Sequence, residues 1–397
     1  MAERVAVIGV GQTEFKGRWP EISEVEMVNL AVRRALEDAR LTIEDIDLVL
    51  TGNMETFEGN YLVDMWLVEG DGAYMKSGMK VQSGGTTGST VTVSAFDFAA
   101  TGRFNSVLAI AYEKQDEGNS QAALRNITED VFWNIGGGGL SAITAFQGLA
   151  LDMLERGSVT EEHVARIRVK EAECASLNPY AHLRKKLTID RVMNSPMLAW
   201  PIRFLHSCPT SVGVCAMIIA PESVAKKISS DPAWVVDWVT VRGGSLERIG
   251  AMGQAQRVGP LGPCWAWSVE QSATQIYKRN GIANPRRELD VVEVYDMSTW
   301  SEIEWYERLH LCERNQAWKL IDEEATNLRG DIPVNPSGGV VSTNAIGASA
   351  MQRFAEAALQ IRGKAGEHQV PDARVAIAVS AGGDNYSSAG LIKKSLD

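Results

Sequence analysis

Short, uncharged runs of Val, Ile and Ala recur along this chain, separated by stretches of helical periodicity. Val5 to Val10 (VAVIGV) ends around a glycine and reads as a buried strand. Ser23 to Leu41 follows, with Leu30, Ala31, Val32, Ala35 and Leu36 on one face and charges on the other, the pattern of an amphipathic helix. Asp47 to Leu50, Lys80 to Gln82 and Ser106 to Tyr112 (SVLAIAY) read as further strands. Thr87 to Gly102 is small, apolar and almost uncharged, and its length and composition assign it to a buried helix. The alternation returns with strands at Gly213 to Ala220 (GVCAMIIA), Trp234 to Arg242, Leu289 to Tyr295 (LDVVEVY), Arg374 to Ser380 (RVAIAVS) and Ser387 to Lys394. Helices fall at about 265–280 and 300–313. Such alternation implies a layered α/β fold with a largely parallel sheet.

Residues from about 114 to 210 break the pattern, being more polar and helix-rich with the run Gly136–Gly139 inside. We read them as an insertion, or lid region, over the first half. At 397 residues the chain exceeds one compact core of ordinary size. It reads as two similar α/β halves, 1–225 and 226–397.

The net charge of −11 argues against a nucleic-acid partner, because phosphate neutralisation needs a basic surface. No apolar run approaches the length that spans a bilayer, and Met1 to Val5 has no leader-like features, so a cytoplasmic location is expected. Cys174, Cys208, Cys215, Cys264 and Cys312 are odd in number with no CxxC spacing, which fits reduced thiols. The histidines at 163, 182, 206, 310 and 368 do not pair at ligand spacing, so no metal is expected in the chain. Gly9-Val10-Gly11 after a strand invites a dinucleotide reading. However, position 14 is Glu14, whose carboxylate would repel a pyrophosphate, and a tight strand exit is the better account.

Four glycine-rich or small polar segments remain: Gln82–Ser89 (QSGGTTGS), Tyr295–Thr299 (YDMST), Ser337–Ala350 (SGGVVSTNAIGASA) and Ser380–Asp384 (SAGGD). Ligands of α/β folds bind at the carboxyl ends of strands, and loops without bulk let a carbonyl reach backbone N–H groups. In this order and spacing the segments resemble the motifs of the thiolase superfamily, in its sterol-carrier-protein-like branch. VAVIGVGQTEF and Pro201–Ala220 resemble further family segments, so the likeness runs along essentially the whole chain. It implies a thiolase fold of two layered α/β/α halves.

The likeness also locates what is missing. The family's nucleophilic cysteine falls at Gly85, its second cysteine at Ser380 and its histidine at Asn344. Glycine cannot be a nucleophile, serine without a base carries protons poorly, and asparagine does not titrate. What remains is electrostatic. The N–H groups of Gly85 and of Gly382 or Gly383 are expected to form an oxyanion hole, and Asn344 with Tyr295 a second one. Tyr295, followed by Asp296, reads either as a phenol acting at the site or as a strand-end tyrosine packed beneath it. Aldolases of this superfamily carry tyrosine there too, with a second tyrosine near the segment that holds Thr343-Asn344-Ala345 here. Trp133, Trp200, Trp267 and Met297 would suit a large acyl pocket, or simply the core.

The family resemblance implies coenzyme A as substrate or product, with Arg184, Lys185 and Lys186 placed for its phosphates and Gly253 and Gln254 near its pantetheine arm. It also implies action on a bulky β-ketoacyl-CoA, with cleavage of a β-hydroxyacyl-CoA or a non-catalytic scaffold as alternatives. A homodimer and a small zinc-finger/OB-fold partner protein complete these expectations.

Overall fold

A computed structural model of the chain describes residues 3–120, 122–123, 142–157, 159–243, 265–382 and 386–396. Its strands are β1 (Val5–Gln12), β2 (Leu48–Gly52), β3 (Ser77–Lys80), β4 (Val107–Lys114), the small hairpin β5 (Met197–Ala199) and β6 (Ile202–Arg203), β7 (Val212–Pro221), β8 (Ala233–Arg242), β9 (Val291–Val294), β10 (Val375–Gly382) and β11 (Tyr386–Lys393). All but the hairpin join one sheet in the order β3-β2-β4-β7-β1-β8-β11-β10-β9. The helices of ten or more residues are α1 (Glu24–Ala39), α2 (Thr87–Ala100), α3 (Ala142–Glu155), α4 (Glu161–Leu177), α5 (Trp265–Asn280), α6 (Thr299–Arg308) and α7 (Ile346–Arg362).

The expectation of a largely parallel sheet is corrected. Only β2–β3, β2–β4 and β9–β10 are parallel, and the other neighbours in the sheet run antiparallel. Periodicity locates strands without giving their sense. The connection from Gly382 to Tyr386 is too short for the helical crossover that parallel pairing needs. The strand expected at Lys80–Gln82 also ends earlier, at Lys80, and the helix expected at 300–313 ends at Arg308.

The two halves are visible in the sheet. The order β1-β7-β4-β2 repeats as β8-β11-β10-β9, with the same antiparallel, antiparallel, parallel sequence of pairings. β1 and β8 pair at the centre. The proposed division at 225/226 falls in the connection between β7 and β8.

Each strand alternates its side chains between two cores. Along β4, Val107, Ala109 and Ala111 face the α2–α7 layer, whereas Leu108, Ile110 and Tyr112 face α1. α1 is set by a capping box, in which Ser23 accepts from the Glu26 N–H and the Glu26 carboxylate accepts from the Ser23 N–H. Gly9 and Gly11 admit its backbone, since a Cβ at either would lie 2.5 Å or less from a carbonyl of α1. That approach accounts for the glycine pair without a nucleotide.

α7 is buried on every side, polar residues included. Its charges survive burial because they are paired: Arg353 with Glu293, Glu356 with His368, and Arg362 with Asp38. α2 and α7 pack side by side through Gly88, where a Cβ would lie 2.6 Å from the Met351 nitrogen. The first turns of two buried helices are thereby brought together.

Candidate active site

The site lies where these helix starts meet the carboxyl ends of the strands. Gly85 precedes α2 in a turn braced by its own hydroxyls: Thr87 Oγ1 donates to the Gly84 carbonyl (2.6 Å) and Thr86 Oγ1 to the Ser83 carbonyl (2.8 Å). The first N–H groups of a helix have no intrahelical acceptor and carry partial positive charge. A Cβ on Gly85 would meet nothing nearer than Ile346 Cγ1, at 4.0 Å. The fold therefore leaves room for a side chain at 85, and sterics do not require the glycine.

Gly382, at the end of β10, closes on the same turn, since a Cβ there would lie 3.5 Å from the Gly85 carbonyl carbon and from the Thr86 nitrogen. The structure thus brings Gly85 and Gly382 together. Gly383, Gly253, Gln254 and Trp133 lie outside the described residues. Ser380 is fully buried, with its hydroxyl bonded to Ser89 Oγ (2.7 Å) and to the backbone of Ser388. It fastens β10 to α2 and β11 instead of facing open space.

Tyr295 and Asn344 meet directly. The phenol donates to Asn344 Oδ1 (3.3 Å), as does the Ser349 hydroxyl (3.0 Å), and Asn344 Nδ2 donates to Cys208 Sγ (3.2 Å). The Asn344 backbone is clamped as well: its N–H goes to Ser211 Oγ (3.0 Å), and its carbonyl accepts from the Ser211 N–H (2.9 Å) and Gln115 Nε2 (2.9 Å). Ser211 Oγ is also hydrogen-bonded to His182 Nδ1 (2.9 Å). Burial, with the Cys208 sulfur second, pushes the Tyr295 phenol well above its ordinary value. It is a neutral donor at physiological pH. Burial likewise pushes the Cys208 thiol up to about 12, so it stays protonated.

Asp296 faces the other way. It accepts from the Val340 and Val341 N–H groups (2.8 and 3.2 Å) and from Asn335 Nδ2 (2.7 Å). It anchors the turn leading to Asn344 and lies behind the reactive face. His206, to which the sequence assigns no role, is buried, with Nδ1 accepting from Trp300 Nε1 (3.2 Å). Arg184, Lys185 and Lys186 are exposed. The residues just before them are tied to the Asn344 loop, His182 N–H to Thr343 Oγ1 (3.0 Å) and Leu183 N–H to the Ser342 carbonyl (2.9 Å), so the basic run starts at the rim of the site. Met297 packs beside Tyr295 and Val340, whereas Trp200 is exposed.

Sequence reasoning missed Cys208, Ser211, Gln115, Ile346 and Glu113. Only Glu113 left a local signal, a charge at the end of an otherwise apolar strand. Its carboxyl accepts from the Gly347 N–H (2.9 Å) at the start of α7, and burial with Glu58 beside it raises its pKa well above the usual carboxylate range. Among the described residues no helix is long and apolar enough to cross a membrane.

Comparison with known proteins finds relatives along nearly the whole chain. A family described as thiolase C-terminal domain-like matches residues 263–394. The acetyl-CoA acetyltransferase of Methanothermobacter thermautotrophicus is 28% identical over 392 residues, covering 97% of this chain and 98% of the relative. Sterol carrier protein 2 of Homo sapiens is 29% identical over 389 residues, covering 94% of this chain and 69% of the relative. Among solved structures, an Ltp2-ChsH2(DUF35) aldolase superposes with a TM-score of 0.81 at 21% identity, covering 100% of this chain and 99% of that one. The human mitochondrial 3-ketoacyl-CoA thiolase superposes with a TM-score of 0.72 at 14% identity, covering 99% of each. The repeated half-sheets, the paired central helices and the full-length likeness to these relatives support the thiolase superfamily, in its sterol-carrier-protein-like branch.

Proposed function

We propose that this acyltransferase-like enzyme breaks or forms a carbon–carbon bond in a bulky β-ketoacyl-CoA, using free coenzyme A and no cysteine nucleophile. One observation carries the reading: the fold holds Tyr295 against Asn344 and Gly382 against Gly85; Ile346, two residues past Asn344, is the nearest neighbour of a side chain at 85; and that position holds open space where a thiol would fit.

In the cleavage direction CoA–SH gives up its proton and its sulfur bonds to the keto carbon. The keto oxygen becomes an alkoxide, stabilised by the Tyr295 O–H and the Asn344 amide once the phenol releases Asn344. The carbon–carbon bond then breaks, leaving its electron pair on the α-carbon of the remaining thioester. That enolate oxygen is stabilised by backbone N–H groups at Gly85 and Gly382, and the proton lost by CoA ends on the α-carbon. Removal of one such donor typically costs about 10²–10³ in kcat. Arg184, Lys185 and Lys186 suit the CoA phosphates at the rim. The sequence resemblance to the large subunit of benzoylsuccinyl-CoA thiolase, an enzyme of aromatic-compound (toluene) catabolism, makes an aromatic acyl group the first candidate.

A retro-aldol cleavage of a β-hydroxyacyl-CoA is the second reading, favoured by the Tyr295 phenol and the aldolase among the structural neighbours. That neighbour's name joins two components, which supports a small zinc-finger/OB-fold (DUF35-type) partner here as well. A homodimer is proposed at the β3 edge. β3 is largely exposed, Tyr74 and Met75 just before it are exposed, and Tyr61, Leu62, Met65 and Trp66 earlier in the same connection present further apolar surface that a second copy would cover.

Purified protein, with and without such a partner, is incubated with benzoylsuccinyl-CoA and CoA, and the acyl-CoAs are identified by mass spectrometry. Two new thioesters are expected, and Tyr295→Phe and Asn344→Ala should each lower kcat about 10²-fold. Full turnover in both variants would sink the site assignment. Release of a free aldehyde or ketone from a β-hydroxyacyl-CoA would favour the aldol reading, and no product in any arm would leave a scaffold.

A further inference from the structure

Behind Tyr295 the fold collects three fully buried carboxyl groups, Glu171 on α4, Asp296 after β9 and Glu302 on α6, with oxygens within 4.8 Å of one another. Two of the three are well supplied with donors. Asp296 takes the Val340 and Val341 N–H groups and Asn335 Nδ2. Glu302 takes Lys170 Nζ, the Tyr306 hydroxyl and Asn335 Nδ2. Neither oxygen of Glu171 has a donor among the described residues, although the residue is wholly excluded from solvent.

Charge sharpens the anomaly. Arg168 and Lys170 on α4 are the cations facing the cluster, and Cys174 on the same helix is a protonated thiol. Beyond Asp296, Arg353 on α7 is neutralised by Glu293 on β9. Three carboxylates against Arg168 and Lys170 leave the enclosed group one positive charge short. An ionised, donor-less carboxylate in such a place is costly by several kcal/mol. Asp296 and Glu302 each already accept three hydrogen bonds and keep about one lone pair apiece, enough to accept from an O–H but few for the coordination sphere of a metal ion. A proton needs only one acceptor.

We propose that Glu171 is a neutral carboxylic acid whose O–H bridges to the Asp296 and Glu302 carboxylates, so that the fold carries one stored proton between the insertion and the Tyr295 strand end. Like charges sharing a site raise one carboxyl strongly, and burial followed by Glu302 and Asp296 acts on Glu171 in that direction. A group whose folded value is raised binds its proton more tightly when folded. The stability it confers is full at low pH and is lost as pH rises through the folded value.

The test is infrared spectroscopy and thermal melting of the full chain. Wild type at neutral pH should show protonated-carboxyl C=O absorption beyond that of Glu113, and that extra part should be missing in Glu171→Gln. Its melting temperature should fall on the alkaline side, and the amide of Glu171→Gln should remove that fall. If Glu171→Gln does not fold, Glu113→Gln should keep a protonated-carboxyl band that disappears on alkaline titration at the pH where the melting loss levels off. An undiminished protonated-carboxyl band in Glu171→Gln overturns the proposal. So does a melting temperature that rises with added sodium, potassium or calcium and ignores pH.

Discussion

Tyr295 and Asp296 are chain neighbours in two different kinds of polar environment. Tyr295 looks onto hydroxyl, amide and thiol groups: Ser349, Asn344 and Cys208. Asp296 looks onto Glu302, which is ion-paired with Lys170, and onto the acid Glu171. Alternation along a strand end sends consecutive side chains to opposite faces, so one dipeptide serves both. The neutral side can exchange partners at modest cost, because a neutral hydrogen bond contributes about 1 kcal/mol net. The ionic side cannot, because Asp296, Glu302 and Lys170 are buried with their charges. The comparison assigns rearrangement during turnover to Tyr295 and rigidity to Asp296.

The largest effect that would break this division is expected from Lys170→Met. It leaves Glu302 without its cation, and unpairing a buried ion costs about 3–5 kcal/mol. Denaturant unfolding measures it, and a loss under about 1 kcal/mol would show that the ionic side is not the rigid one. On the other side, Tyr295→Phe should cost about 1 kcal/mol of stability while lowering turnover far more. A large stability loss there would place the phenol in the core.

The third effect is one of pH. Burial, with Arg203 and then Arg168 nearby, holds His206 down at about 4. A histidine lowered from about 6.5 binds its proton less tightly when folded, so its contribution is present above pH ~6.5 and is lost as pH falls toward 4. That loss reaches about 3 kcal/mol at the acid end. It should shrink in His206→Gln when denaturant midpoints at pH 7 and pH 5 are compared. The smallest effect is Gly85→Ala. With open space around the added Cβ and no left-handed backbone to strain, stability should change by under about 1 kcal/mol, upward if unfolded-state entropy dominates. A large loss would mean that glycine is required there.

Much of this was legible in the chain itself. The β-branched runs placed the strands within a few residues, and four small polar segments marked Gly85, Tyr295, Asn344 and Gly382, which the fold gathers in pairs. α7 went unread as a helix because Arg353, Glu356, Gln360 and Arg362 masked its apolar character. Those charges are tolerated only because Glu293, His368 and Asp38 arrive from distant elements. Cys208 and Ser211 carried no local mark for the same reason, since they matter through Asn344, more than a hundred residues away.

Local pattern therefore determined which segments are strands, which turns lack bulk, and that the motif cysteines and histidine are gone. Backbone sterics and side-chain periodicity act over a few residues and can be read in order. Strand direction, the pairing of α2 with α7, the thiol beside Asn344 and the donor-less carboxyl of Glu171 were decided only in three dimensions. Each depends on the partner that long-range packing supplies and on the loss of water that makes the partner matter.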